Sequence, residues 1–258
     1  METPFNPPIV PAAEACLEQI VRTIFPERIY LLANREPGRG TESIFRETIA
    51  DEPPTGSLLL FILYDKATGD QHLLQHRLEY VLPAHPSIHV ILMEAQKFLA
   101  ELACGHPFAA TIHRRAPVIY GSRPNLQVEV NSSFTTPFNE MELLQLATEM
   151  HGAAGSCLNE DHSSSIFNLH LSMEFALKSI IRRYMQWTPE TRNLLRLQEY
   201  ALFVQPDIEE IFTPSNFLLH SLHTAFNRRH SPGFSISRDE LQELQSSIQK
   251  LIELCQAS

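Results

Sequence analysis

Hydrophobic positions follow two rhythms along the chain, and the change comes near its middle. From Ala12 to Phe25, Ala13, Cys16, Leu17, Ile20, Val21 and Ile24 recur every three or four residues and predict a helix that Pro26 stops. Ile29-Tyr30-Leu31-Leu32 reads as a short strand that breaks at Asn34-Arg35-Glu36-Pro37-Gly38-Arg39-Gly40, after which Thr41 opens a helix to about Ala50. Leu58-Leu59-Leu60-Phe61-Ile62-Leu63-Tyr64 is an unbroken apolar run of the kind a sheet buries on both faces. A helix from about Thr68 to Val81, a strand from Ile88 to Met93, a helix from Ala95 to about Leu102 and a short strand at Pro117 to Tyr120 follow. Strands alternating with helices imply an α/β sheet.

The alternation stops at about residue 121, and residues 121–137 are polar and turn-rich, with Asn125, Asn131, Ser132, Ser133 and Pro137, as in a linker. Everything beyond Asn139 has helical periodicity. The expected helices are Glu140–Cys157, Ser163–Trp187, Pro189–Phe203, Pro206–Arg229 with an interruption near Pro214, and Arg238–Gln256. Thr188 before Pro189 marks one start, and Ser237 with Glu240 three residues later forms a capping box at another. In the last helix Leu241, Leu244, Ile248, Leu251, Ile252 and Cys255 make one apolar stripe that requires a bundle to pack on. The expected fold class is α+β overall, with an α/β sheet domain over 1–120, a linker over 121–137, and an all-α up-and-down bundle over 138–258.

Composition narrows the function. With 20 Lys+Arg against 30 Asp+Glu, the formal charge is −10, which argues against a broad electrostatic grip on DNA. Four cysteines, Cys16, Cys104, Cys157 and Cys255, lie far apart without a CxxC pair, so neither a zinc knuckle nor a disulfide framework is expected. No run approaches the roughly 18 apolar residues of a membrane helix, and the first residues lack a signal-peptide pattern. These features imply a cytoplasmic protein without a membrane partner.

The first half resembles the minimal nucleotidyltransferase domain of the polymerase-beta superfamily, through Ile29-Tyr30-Leu31-Leu32 with Arg35 after the turn, and through Gly105-His106-Pro107-Phe108 ahead of Val118-Ile119-Tyr120-Gly121. The second half resembles a HEPN domain. Leu169-His170-Leu171-Ser172-Met173-Glu174-Phe175-Ala176-Leu177-Lys178 is similar to that family's L-H-x-x-x-E-x-A-L-K pattern. Thr191-Arg192-Asn193-Leu194 resembles its T-H-[DN]-L with Arg192 in the place of His, and Ala225 to His230 resembles A-Y-x-x-R-Y.

Nucleotidyltransferase chemistry implies three carboxylates, two of them at i and i+2 on one strand face, holding two Mg²⁺ on a triphosphate. From Pro53 to Tyr64 there is no acidic residue, His89 stands near the place of the third carboxylate, and Ala33-Asn34 replaces the phosphate-cradling Gly-Ser. The resemblance therefore implies a degenerate domain with no catalytic residue and no cofactor. The alternative is an active enzyme with Mg²⁺ and a nucleoside triphosphate, its metal relocated to Asp65, Asp70 or Glu94. Asn34 and Arg35 at the Gly-rich turn remain candidates for an anion, although an ordinary surface turn explains them as well.

HEPN ribonucleases carry R-x(4–6)-H, but reading back from His230 the required positions are His223, Thr224 and Ala225. RNA cleavage needs both groups within reach, so the resemblance does not extend to a complete cleavage motif. What remains is Arg228-Arg229-His230 together with His170, Glu174 and Lys178, spaced i, i+4, i+8 on one helical face. They form either a pocket for a nucleotide or RNA phosphate or a structural ion-pair network. His72 with His76, and His220 with His223, are i, i+3 or i, i+4 pairs that lack a third ligand and read as solvated faces. By its HEPN resemblance the protein is expected to form a homodimer. A ribonuclease or toxin–antitoxin-like role and a purely structural interaction role stay open beside the binding role.

Overall fold

The computed structural model describes residues 11–36, 40–45, 56–82, 88–122, 139–158, 161–212, 217–228 and 236–257. The chain divides into two compact units, Met1–Thr135 and Thr136–Ser258.

The first unit is built on a mixed sheet. Its elements are α1 (Pro11–Ile24), β1 (Arg28–Glu36), β2 (Gly40–Ser43), β3 (Ser57–Tyr64), α2 (Gln71–Val81), β4 (Ile88–Glu94), α3 (Ala95–Ala103), α4 (Pro107–Arg115) and β5 (Val118–Tyr120). The strand order is β2-β1-β3-β4, with β5 also paired to β1. Only β3 and β4 run parallel, and β1 is antiparallel to β2, β3 and β5. The expected alternating α/β pattern thus reduces to one β3-α2-β4 crossover inside a mostly antiparallel sheet.

β3 is the centre of the unit, and Leu58 through Tyr64 are all buried, as the unbroken apolar run requires. Leu58, Leu60, Ile62 and Tyr64 share one face with Ile29, Leu31, Val90 and Leu92, where they pack with Ile20 and Ile24 of α1 and Leu74 and Leu78 of α2. The opposite face carries an aromatic cluster in which Phe61 meets Tyr30, Phe98 and Phe108 at ring distances of 5.4–6.2 Å.

Three local expectations in this unit are corrected. β1 does not break at Asn34 but runs to Glu36, because Asn34 and Arg35 are paired on both sides, to Glu42 and Thr41 of β2 and to Leu58 and Ser57 of β3. Thr41 opens a strand rather than a helix. Thr41 and Ser43 are buried and Glu42 is half-exposed, the period of a strand returning along β1. The helix expected from Thr68 starts at Gln71, after a 3₁₀ turn at Lys66–Thr68; Asp65 caps the turn and Asp70 caps the helix.

The second unit is helical: α5 (Glu140–Cys157), α6 (His162–Met185), α7 (Leu194–Leu202), α8 (Ile208–Ile211), α9 (Phe217–Arg228) and α10 (Arg238–Ala257). Three buried serines on α6, seven residues apart, bond to α5. Ser165, Ser172 and Ser179 donate their hydroxyls to the carbonyls of Ala154, Ala147 and Glu140 at 3.1, 2.8 and 3.1 Å. One partner number rises as the other falls, so α5 and α6 are antiparallel. The seven-residue step is the repeat at which a two-helix seam returns to the same face.

The capping box forms as expected, with Glu240 accepting from the Ser237 backbone at 2.8 Å and the Ser237 hydroxyl accepting from the Glu240 backbone at 3.3 Å. All six positions of the apolar stripe on α10 are buried. Pro189 does not start α7, however. Asn193 caps that helix, accepting from Leu195 and Arg196, and Thr191 accepts from Asn193 in turn. An Asx cap next to the first apolar turn outcompetes a proline five residues upstream. The interruption near Pro214 separates α8 from α9, and residues 213–216 lie outside the described residues. Most of the expected linker also lies outside them.

Candidate functional site

In the sheet unit, Arg35, Ser57 and His89 sit on the adjacent strands β1, β3 and β4. Ser57 is opposite Arg35 across β1 and β3, while Leu59 is opposite both Ala33 and His89. Period-two alternation puts Arg35, Ser57 and His89 on the aromatic face, and Asn34, opposite Leu58, on the other. Asn34 and Arg35 are both buried, at 7% exposure. Sequence placed them on a surface turn, but the extension of β1 takes them into the sheet.

The electrostatics of this face oppose a divalent cation. His89 has its pKa pushed down to about 4, first by burial and then by the Arg35 charge, so the imidazole is neutral at neutral pH. A guanidinium near a neutral imidazole repels Mg²⁺, which needs carboxylate oxygens. The relocated carboxylates have other work. Asp65 accepts from the Ala67 backbone at 2.9 Å, and Asp70 accepts from the His72 backbone at 2.8 Å. Burial raises the Tyr64 phenol pKa, with the charges of Glu94 and Asp70 adding to the rise. Among the described residues no group of three or more His, Cys, Asp or Glu converges to hold a metal.

The helical unit brings together part of its expected set. Glu174 is 3% exposed, and its Oε1 receives Lys178 Nζ at 2.7 Å. Arg192, from the segment before α7, approaches the same oxygen with Nε at 3.9 Å while 71% of its side chain stays exposed. Glu174 Oε2 is buried and has no hydrogen-bond partner among the described residues. The i, i+4 spacing of Glu174 and Lys178 on α6 makes the pair local, and the cap at Asn193 orients the segment that delivers Arg192. A buried carboxylate between two cations with one oxygen unmatched can accept a hydrogen bond from a ligand N–H or O–H group. Arg192 can meet an anionic group beside it.

His170 is not part of this group. Its ring is fully buried and stacks on Phe226 of α9 at 3.7 Å and 15°, with His223 beyond it at 5.9 Å and 25°. Phe167 stacks on Phe226 at 5.8 Å. His223 contacts Asn227 at 3.1 Å, and burial and the neighbouring His220 hold its pKa below the usual histidine range. Sequence reading missed this ring stack, although the spacings of Phe167 with His170 and of His223 with Phe226 gave the signal. Residues 229 and 230 and the Arg228 side chain lie outside the described residues.

No family model and no curated protein matches this sequence. Among solved structures, a nucleotidyltransferase-like protein from Exiguobacterium sibiricum 255-15 is similar to it at 9% identity, over 92% of this chain and 75% of that one, with a TM-score of 0.27.

Proposed function

We propose that this is a nucleotide- or RNA-associated binding protein whose ligand site is the Glu174–Lys178–Arg192 group of the helical unit. In this reading the sheet unit is a nucleotidyltransferase-like scaffold without catalytic metal chemistry, and the helical unit is a HEPN-like module that pairs into a homodimer. The observation that carries the reading is the unmatched oxygen of a buried, doubly cation-flanked carboxylate. An unmatched buried acceptor costs about 1–3 kcal/mol, so a group kept that way suggests a donor that arrives with a ligand. A nucleotide supplies the donor from its base or ribose and the phosphate for Arg192.

The test is a thermal-shift panel with ATP, GTP, CTP, UTP and a short RNA, each with and without Mg²⁺, since a ligand that binds only the native state raises the melting temperature. The expected result is a metal-independent shift that Arg192→Ala abolishes. A shift that requires Mg²⁺ supports the active nucleotidyltransferase instead. The 2.7 Å Lys178 contact favours a second reading, a structural ion pair, and a flat panel decides for it.

A further inference from the structure

Glu174 and Arg192 make two separate demands on a ligand that binds beside them. Lys178 Nζ, which can only donate, occupies Glu174 Oε1 at 2.7 Å and leaves Oε2 buried and unmatched among the described residues. An ionised carboxylate oxygen only accepts, so the ligand must bring an O–H or N–H donor to Oε2. A phosphate oxygen placed there would meet like charge. Arg192 sets the second demand. Its Nε stands 3.9 Å from Oε1, outside hydrogen-bond distance, and 71% of its side chain is exposed, so the fork can close on an anion arriving from solvent.

Only the width of one carboxylate group separates the two demands, so donor and anion must be carried by neighbouring atoms of the ligand. In a nucleotide the N–H groups of the base are a whole sugar away from any phosphate. The ribose 2′-hydroxyl, by contrast, stands on the carbon next to the one that bears a 3′-phosphate. We propose that Glu174 and Arg192 read this junction: Glu174 Oε2 accepts from the 2′-hydroxyl, Arg192 holds the adjoining 3′-phosphate, and the site selects ribonucleotide 3′-phosphates and RNA over their deoxy counterparts. This assignment rests on the reading of the group as the ligand site and adds the chemical feature that is selected. A deoxy ligand gives Arg192 the same phosphate but leaves Oε2 unmatched, so it loses one hydrogen bond to a charged acceptor.

Calorimetric titration of the full chain compares 3′-AMP with its 2′-deoxy analogue, and a short RNA with the DNA of the same sequence. The ribo member is expected to bind about ten- to hundredfold more tightly, the equivalent of one hydrogen bond to a charged group. A preference in the nucleotide pair supports a free ribonucleotide as the ligand, and a preference confined to the strands supports RNA. Arg192→Ala is expected to weaken both members of a pair by the same factor and keep their ratio. Glu174→Gln keeps an oxygen toward Lys178 and puts an amide donor in the place of Oε2, so it is expected to lose the preference while the phosphate contact remains. Equal affinity for the two members, with Arg192→Ala weakening both, overturns this inference and leaves the ligand site standing. A ribo preference undiminished in Glu174→Gln overturns it too. No binding of any ligand, or binding that neither variant changes, overturns the ligand site itself and the inference with it.

Discussion

The Ser172 hydroxyl and the Ala147 carbonyl lie 2.8 Å apart across two antiparallel helices, the middle of three such contacts spaced one heptad apart along the α5–α6 seam. Small side chains at these positions let the helices approach closely enough for a hydroxyl to reach a backbone carbonyl already used within its own helix. Bulk at this point has nowhere to go. Ser172→Leu is expected to lower stability by about 1–3 kcal/mol through overpacking, while Ser163→Leu, on the exposed side of the same helix, is expected to change it by under about 0.5 kcal/mol. Urea denaturation of the two variants checks the contrast.

Lys178 and Glu174 make a buried pair that is easier to replace than to break. Lys178→Ala leaves a dehydrated carboxylate with only the distant Arg192 and is expected to cost about 3–5 kcal/mol. Glu174→Leu with Lys178→Met removes both charges and is expected to be near neutral or stabilising. A double-mutant cycle measured by denaturation separates the two outcomes.

His89 gives the sheet unit a sensitivity to acid. Its folded pKa of about 4 lies below the 6.5 of an unperturbed histidine, so between those values the unfolded chain binds more protons than the folded one. Stability is complete above the unfolded value and falls as pH drops through the window, by about 3 kcal/mol at its lower end. His89→Leu is expected to flatten this slope. Protection of β3 and β4 amides measured across the pH range reads it unit by unit.

Gly121 holds φ +81°, and a Cβ there would run into the Glu27 carbonyl oxygen. Backbone cannot give way as a flexible side chain does. Gly121→Ala is expected to destabilise the β1–β5 end of the sheet by about 1–3 kcal/mol, combining left-handed strain with the clash. Gly152→Ala, where nothing lies within 4 Å, is the matched control, expected to be neutral or slightly stabilising because alanine is the better helix former. Thermal denaturation of each variant compares them.

The sequence by itself determined the elements whose signals are local. The apolar run of β3 has only one way to be buried on both faces, the stripe of α10 returns every three or four residues to one side, and Ser237 and Glu240 complete their cap within a single turn. The tertiary structure decided what depends on partners distant in sequence. Asn34 and Arg35 read as a turn but became strand because β2 and β3 each supply a ladder of backbone groups to them. The three serines of α6 look like ordinary polar positions until α5 stands opposite. One helical face was expected to present His170, Glu174 and Lys178 together, yet α9 takes the first ring into its aromatic stack, and the segment before α7 brings Arg192 to the other two. Periodicity fixes which side of an element is dry. Which distant side chain meets it is settled only by how the elements pack.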